Sequence, residues 1–181
     1  MKVLVAYATR HGSTAGIAER IAGRLVNDGV PAEALPVEKV RDVSPYDAVV
    51  LGSAAYMGRW LRDAGAFAKR QREALQSRQI WLFSSGPLGR DLVDKDGKNV
   101  LVNSRPKEFG ELQSQLKPKD TRVFFGAWDP SSPAVGIGER LMRLAPVSTG
   151  ALPSGDFRDW DAIDAWADDI AATLKGSPRT T

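Results

Sequence analysis

Apolar residues fall along the chain in two rhythms. In the first they run on without interruption, through Lys2 to Tyr7, Asp47 to Ser53 (D-A-V-V-L-G-S), Gln79 to Ser84 (Q-I-W-L-F-S) and Thr121 to Ala127 (T-R-V-F-F-G-A). Short continuous runs predict strands covered on both faces, as in a parallel sheet. Pro31 to Pro36 predicts a further strand, limited by its prolines to an edge. In the second rhythm apolar residues recur every three or four positions. Ile17, Ile21 and Leu25 mark a helix over 15–26, and Leu61, Ala64, Phe67, Ala68 and Leu75 another. Phe109, Leu112 and Leu116 mark a helix near Arg105 to Leu116 with Pro106 in its first turn. Ile163, Trp166, Ile170 and Leu174 mark a last helix near Asp159, with Asp159 and Asp161 at its positive end. Asn27-Asp28-Gly29 ends the first helix, Val37 to Tyr46 reads as weak helix or loop, and Asp91 to Asn103 as irregular.

Strands alternating with helices predict an α/β fold: a doubly wound, five-stranded parallel sheet in the order 2-1-3-4-5 with helices on both faces. The expected layout is one domain over 1–175, with an insertion at 128–156 before the last helix and a flexible tail at 176–181. Ligands of such sheets bind at the carboxyl ends of the strands, where the order reverses. The loops after the first, third and fourth strands converge there.

Composition narrows the chemistry. The 181 residues are 43% hydrophobic and 26% charged, as in an ordinary globular domain. There is no cysteine, hence no disulfide framework, thiol chemistry or cysteine-held metal. A single histidine, His11, argues against a histidine metal site or a Ser-His-Asp triad, and no metal is expected. A formal charge of +3 does not by itself suggest nucleic acid. No apolar run approaches a membrane span, and the N-terminus leads straight into a strand without a signal-peptide pattern, so a cytoplasmic protein is expected.

The candidate chemistry begins in Tyr7 to Thr14, Y-A-T-R-H-G-S-T. A strand, a hydroxyl-rich turn and a helix in succession build an anion site: the helix N-terminus presents unpaired N–H groups and partial positive charge. Thr9, Ser13 and Thr14 add hydroxyls, and Gly12 allows close backbone approach. The loop lacks the Gly-Lys-Ser/Thr ending of an NTPase loop and the three-glycine dinucleotide fingerprint. It suits one terminal phosphate, as on a mononucleotide. The plainer reading, an ordinary capped strand-to-helix turn, stands beside it.

The three converging loops resemble those of flavodoxins. T-R-H-G-S-T is similar to the family's FMN phosphate loop, L-G-S-A-A-Y-M-G-R-W to the loop covering one side of the isoalloxazine, and F-S-S-G-P-L-G-R to the loop on the other side. Within that superfamily the chain resembles the menaquinone-dependent protoporphyrinogen dehydrogenase group. A-T-R-x-G-x-T, V-V-L-G-S, F-F-G-A, R-L-M-R-L and R-D-W carry this likeness. Met57 stands where the group has an aromatic before glycine, with Tyr56 one residue earlier. The resemblance implies FMN as cofactor, held at its phosphate by Thr9, Arg10, His11, Gly12, Ser13 and Thr14. The ring would be faced by Ser53, Ala54, Ala55, Tyr56, Met57, Gly58 and Trp60, and the pyrimidine end by Ser84, Ser85, Gly86 and Gly89. Trp60 reads equally as the first core residue of the next helix. Arg10 and His11 read better as side chains pointing to solvent while their backbone binds.

The implied activity is an FMN-dependent oxidoreductase moving hydrogen or electrons from a porphyrinogen-like or other small substrate to a quinone. The alternative is an electron carrier that docks to partner redox proteins. Carriers of this kind are typically acidic, whereas this chain has an isoelectric point of about 9.3 and places Arg59, Arg62 and Arg90 in or beside the loops. Ile137 to Leu144 pairs an apolar side with Arg140 and Arg143; it reads first as a patch packed on its own domain, with a peripheral contact with the inner face of the membrane, or with a partner, as the second reading. Asp91 to Gly97 lacks the ligand spacing and closing glutamate of a calcium loop and reads as a turn.

Overall fold

The first strand, β1 (Val3–Ala8), and the third, β3 (Ala48–Tyr56), lie side by side at the centre of a parallel sheet. Their flanks are β2 (Ala32–Pro36) on the far side of β1, and β5 (Gln79–Ser85) then β6 (Asp120–Phe124) beyond β3. The computed structural model describes residues 1–132 and 153–176. The path β2-β1-β3-β5-β6 is the expected 2-1-3-4-5 with its strands renumbered for a short addition: β4 (Arg59–Trp60) pairs antiparallel with the end of β3. A second ribbon joins β7 (Ala127–Trp128) to β8 (Gly155–Asp156). The patch 137–144 and the residues after 176 lie outside the described part of the chain.

The continuous apolar runs are explained by two cores. On one face Val3, Val5, Val50, Trp81 and Phe83 pack under α1 (Ser13–Asn27) and α6 (Trp160–Gly176). On the other, Leu4, Ala6, Val49, Leu51, Ile80 and Leu82 pack under α2 (Arg62–Arg70), α3 (Arg72–Gln76) and α5 (Glu108–Leu116). Alternate residues of each strand therefore point into different cores, and neither face can be polar. The expected stripes are buried: Ile17, Ile21 and Leu25 in α1, Phe109, Leu112 and Leu116 in α5, and Ile163, Trp166, Ile170 and Leu174 in α6. Gly52 leaves room for its sheet neighbour Phe83; a Cβ there would lie 2.0 Å from the ring.

Three stretches add local detail to the expected layout. The helix after Trp60 is broken at Gln71 into α2 and α3, and the Gln71 side chain donates to the Arg41 carbonyl at 2.7 Å. The last helix includes Lys175 and Gly176, which had been assigned to the domain end and the tail. The segment 91–103 carries a Val93–Asn99 bridge and a single turn of helix, α4 (Val100–Asn103). Its Asp94 carboxylate accepts from the N–H groups of Asp96 and Lys98, which makes it a turn. Among the described residues no helix is long and apolar enough to cross a membrane, and no group of three or more His, Asp or Glu could hold a metal.

Candidate functional site

The phosphate-loop candidate connects β1 to α1. Gly12 stands at the helix N-cap with φ 83°, a left-handed conformation natural to glycine, and no side chain caps the helix. The N–H groups of the first turn accordingly face the cleft without intrahelical acceptors. The hydroxyls nearby are arranged as acceptors toward the protein. Thr9 Oγ1 accepts from the Gly12 N–H at 3.1 Å, and Ser13 Oγ accepts from the Ala127 N–H at 2.9 Å. A hydroxyl that accepts an N–H keeps its own proton to donate. Thr14 is fully buried and its Oγ1 pairs with Ser85 Oγ at 2.8 Å, tying the start of α1 to the end of β5. The donor set is neutral and hydroxyl-rich, and it fits a phosphate monoester.

Arg10 and His11 do not simply point to solvent. The Arg10 guanidinium carbon lies 4.8 Å from the centre of the Tyr56 ring, and His11 meets Trp128 edge-on with ring centres 5.3 Å apart. Each ties the loop to an aromatic on a neighbouring element.

The second loop is more ordered than expected. Ala54, Ala55 and Tyr56 continue β3, Met57 and Gly58 turn with φ 51° and 71°, and the chain returns as β4. Positive φ at both turn residues is the usual geometry of a two-residue hairpin. Met57 is 99% exposed at its tip and Tyr56 is 40% exposed below it. Trp60 is corrected: it is buried, stacked edge-on against Phe109, and belongs to the core under α2 and α5, so the structure does not bring it to the cleft. Ser53 and Ser84 are likewise buried. The Ser53 hydroxyl accepts from Leu61 N–H and donates to the Ala54 carbonyl, and the Ser84 hydroxyl donates to the Ser53 carbonyl. Both brace the strand ends, leaving backbone as their means of reaching a ligand.

The third loop leaves β5 through Ser85, Gly86 and Gly89, the last with φ 113°. Gly86 packs on the second loop so closely that a Cβ would come within 2.9 Å of the Ala55 carbonyl oxygen. The first, second and third loops are thus held together by Arg10 on Tyr56, Thr14 on Ser85, and Gly86 on Ala55.

A fourth segment contributes that the strand-and-loop pattern did not assign to the site. Ala127 bonds Ser13, Gly126 N–H donates to the Pro87 carbonyl, and Arg158 Nη1 donates to the Ser13 carbonyl at 3.4 Å. Arg158 also forms a two-point pair with Asp156 and lies over the Trp160 ring at 4.4 Å. The hydrogen bond from Arg158 holds the Asp156 carboxyl below its ordinary range, and Arg90 adds to the effect. The F-F-G-A and R-D-W motifs were the sequence signal for this segment.

Residues 4–142 match the family model described as flavodoxin domain. The chain is 25% identical over 178 residues to the protoporphyrinogen IX dehydrogenase [quinone] of Escherichia coli (strain K12), covering 94% of this chain and 95% of that protein. Among solved structures it superposes on a flavodoxin from the domain Archaea with TM-score 0.58 at 15% identity, covering 97% of this chain and 99% of that one. It superposes on oxidised flavodoxin 1 from Bacillus cereus with TM-score 0.57 at 13% identity, covering 98% and 100%.

Proposed function

We propose that this chain, which belongs to the flavodoxin domain family, binds FMN across the carboxyl ends of β1, β3 and β5 and passes hydrogen or electrons from a porphyrinogen-like or other small substrate to a quinone. One observation carries the cofactor reading: α1 opens on a left-handed Gly12 without a side-chain cap, ringed by hydroxyls that accept from backbone N–H groups and so keep protons to donate. The backbone of residues 10–14, with Thr9 and Ser13, would hold the phosphate. Thr14 and Ser85 would keep the loop in place, and Tyr56 would stack on the ring. Ala54, Ala55, Met57, Gly58, Gly86 and Gly89 would bring backbone close to its edges. A bound flavin would supply the redox chemistry. The protein's share is to fix its position and exclude water from one face.

The kind of substrate and acceptor is supported by the relative of similar length whose name is protoporphyrinogen IX dehydrogenase [quinone]. The basic residues Arg59, Arg62 and Arg90 beside the loops favour an enzyme that stabilises a reduced, anionic cofactor over an acidic carrier. The test is direct. Purified protein mixed with FMN should show a flavoprotein visible spectrum, and the loaded protein should oxidise protoporphyrinogen with a menaquinone analogue. A colourless protein that takes up no FMN refutes the cofactor reading. Reduction only by a partner reductase, without turnover of either small molecule, would make the protein an electron carrier.

A further inference from the structure

We infer that Arg10 selects phosphorylated over unphosphorylated flavin by leaving the Tyr56 ring for the phosphate; this rests on the FMN reading above. β1 and β3 are adjacent and in register at Ala8 and Ser53, so Arg10, just past β1, stands beside Tyr56 at the end of β3. Its guanidinium covers one face of the tyrosine at 4.8 Å. With Trp60 in the core, Tyr56 is the aromatic that the second loop presents to a ring. A flavin stacking on the face of Tyr56 that Arg10 covers must compete with Arg10 for it.

The two partners available to Arg10 differ in strength. A cation over an exposed aromatic shifts an equilibrium about two- to fivefold, whereas a charge-assisted hydrogen bond to phosphate shifts it about tenfold or more. Arg10 sits between Thr9, whose hydroxyl closes the turn onto Gly12, and the uncapped start of α1. It is exposed, so rotation about its own side-chain bonds suffices to bring it to a phosphate bound there. FMN supplies the anion that draws Arg10 away as the ring arrives. Riboflavin brings the ring alone and must displace the guanidinium without compensation.

Fluorescence-quenching titrations of the flavin-free full chain with FMN and with riboflavin test this. Relative to wild type, Arg10→Ala is expected to bind riboflavin about two- to fivefold tighter and FMN about two- to fivefold weaker, since it loses the roughly tenfold phosphate bond but also the competition for Tyr56. Added inorganic phosphate should tighten riboflavin binding to wild type and leave Arg10→Ala unchanged. Arg10→Lys, which keeps the charge but loses the planar stack, should hold FMN nearly as wild type does. Riboflavin affinity that is unchanged, weakened or undetectable in Arg10→Ala overturns the inference and shows that Arg10 supports Tyr56 instead of guarding it. Failure of wild type to bind FMN is a separate result, seen before any variant is made, and overturns the cofactor reading itself.

Discussion

The Thr14–Ser85 hydroxyl pair gives a sharp test of how the cleft is held together. Thr14 is 0% and Ser85 2% exposed, and their oxygens lie 2.8 Å apart, so water cannot replace either partner. Thr14→Val removes one hydroxyl and leaves Ser85 Oγ buried without its partner, at a cost of about 1–3 kcal/mol. The new methyl also stands where a hydrogen-bonded oxygen stood, which adds crowding. Ser85→Ala should cost about the same, by orphaning Thr14. In the double variant both polar groups are gone, and the loss should return to within about 1 kcal/mol of wild type. The two singles therefore couple by about 1–2 kcal/mol or more in a double-mutant cycle. For a chain of this size each single should lower Tm by about 4–8 °C if it costs 2 kcal/mol. Urea midpoints should fall with an unchanged slope. The double variant, stable again, should still bind FMN more weakly than wild type, because the loop after β1 has lost its tether to β5. A double variant as unstable as the sum of the singles, or a harmless Thr14→Val, would refute the reasoning.

Gly52→Ala would put a Cβ 2.0 Å from the buried Phe83 ring, and should cost about 3 kcal/mol, or about 6–12 °C in Tm by calorimetry, with Phe83→Leu recovering part of the loss. Tyr56→Leu should change the fluorescence of bound flavin with little change in Tm, while Trp60→Phe should lower Tm and leave the fluorescence alone; the opposite assignment would return Trp60 to the site. Hydrogen bonds from Arg20 and Arg24 hold the Asp164 and Asp168 carboxyls below their ordinary range, so their contribution is complete above that range and lost as pH falls through the depressed values. Arg20→Met should thus lower the urea midpoint at neutral pH, and its gap from wild type should close as pH falls below the ordinary carboxylate range and through the depressed values.

The parts of the fold legible in the sequence are those set by two-sided burial. Val49, Val50 and Leu51 must all be apolar because each meets one core or the other, and the helices followed from stripes such as Ile163, Trp166, Ile170 and Leu174. What escaped was local geometry imposed from outside the segment. The hairpin after β3 carries Met57 at φ 51°, where Asn or Gly would have signalled the turn. The break at Gln71 carries no Pro or Gly; the Gln71 side chain is bonded there to the carbonyl of Arg41, distant in sequence. Arg10 and His11 read as solvated because nothing in the linear order places Tyr56 or Trp128 beside them. The positions of the candidate loops at strand ends were predictable from the strand order. Which of their side chains face the cleft was not: Trp60, Ser53 and Ser84 turn inward.

Two departures from local rules stand where the strand order reverses. Met57 has left-handed backbone and is almost fully exposed, although a methionine gains nothing from either. Gly86 is packed against a carbonyl too closely for any Cβ. By contrast Lys117, the other non-glycine residue with positive φ among those described, has an ordinary explanation: it closes α5 as a left-handed C-cap with its N–H donating to Gln113. At the end of β3 the left-handed backbone closes a two-residue hairpin, and at the end of β5 Gly86 is set by its approach to Ala55. Sequences tolerate such conflicts chiefly where function requires them, and here the exposed Met57 turn and the Gly86–Ala55 approach stand at the ends of β3 and β5. Thr14 and Ser85 serve both the sheet and the cleft, whereas Tyr56 at the cleft and Trp60 in the core divide the two roles, which is why variants of that second pair should separate stability from flavin binding.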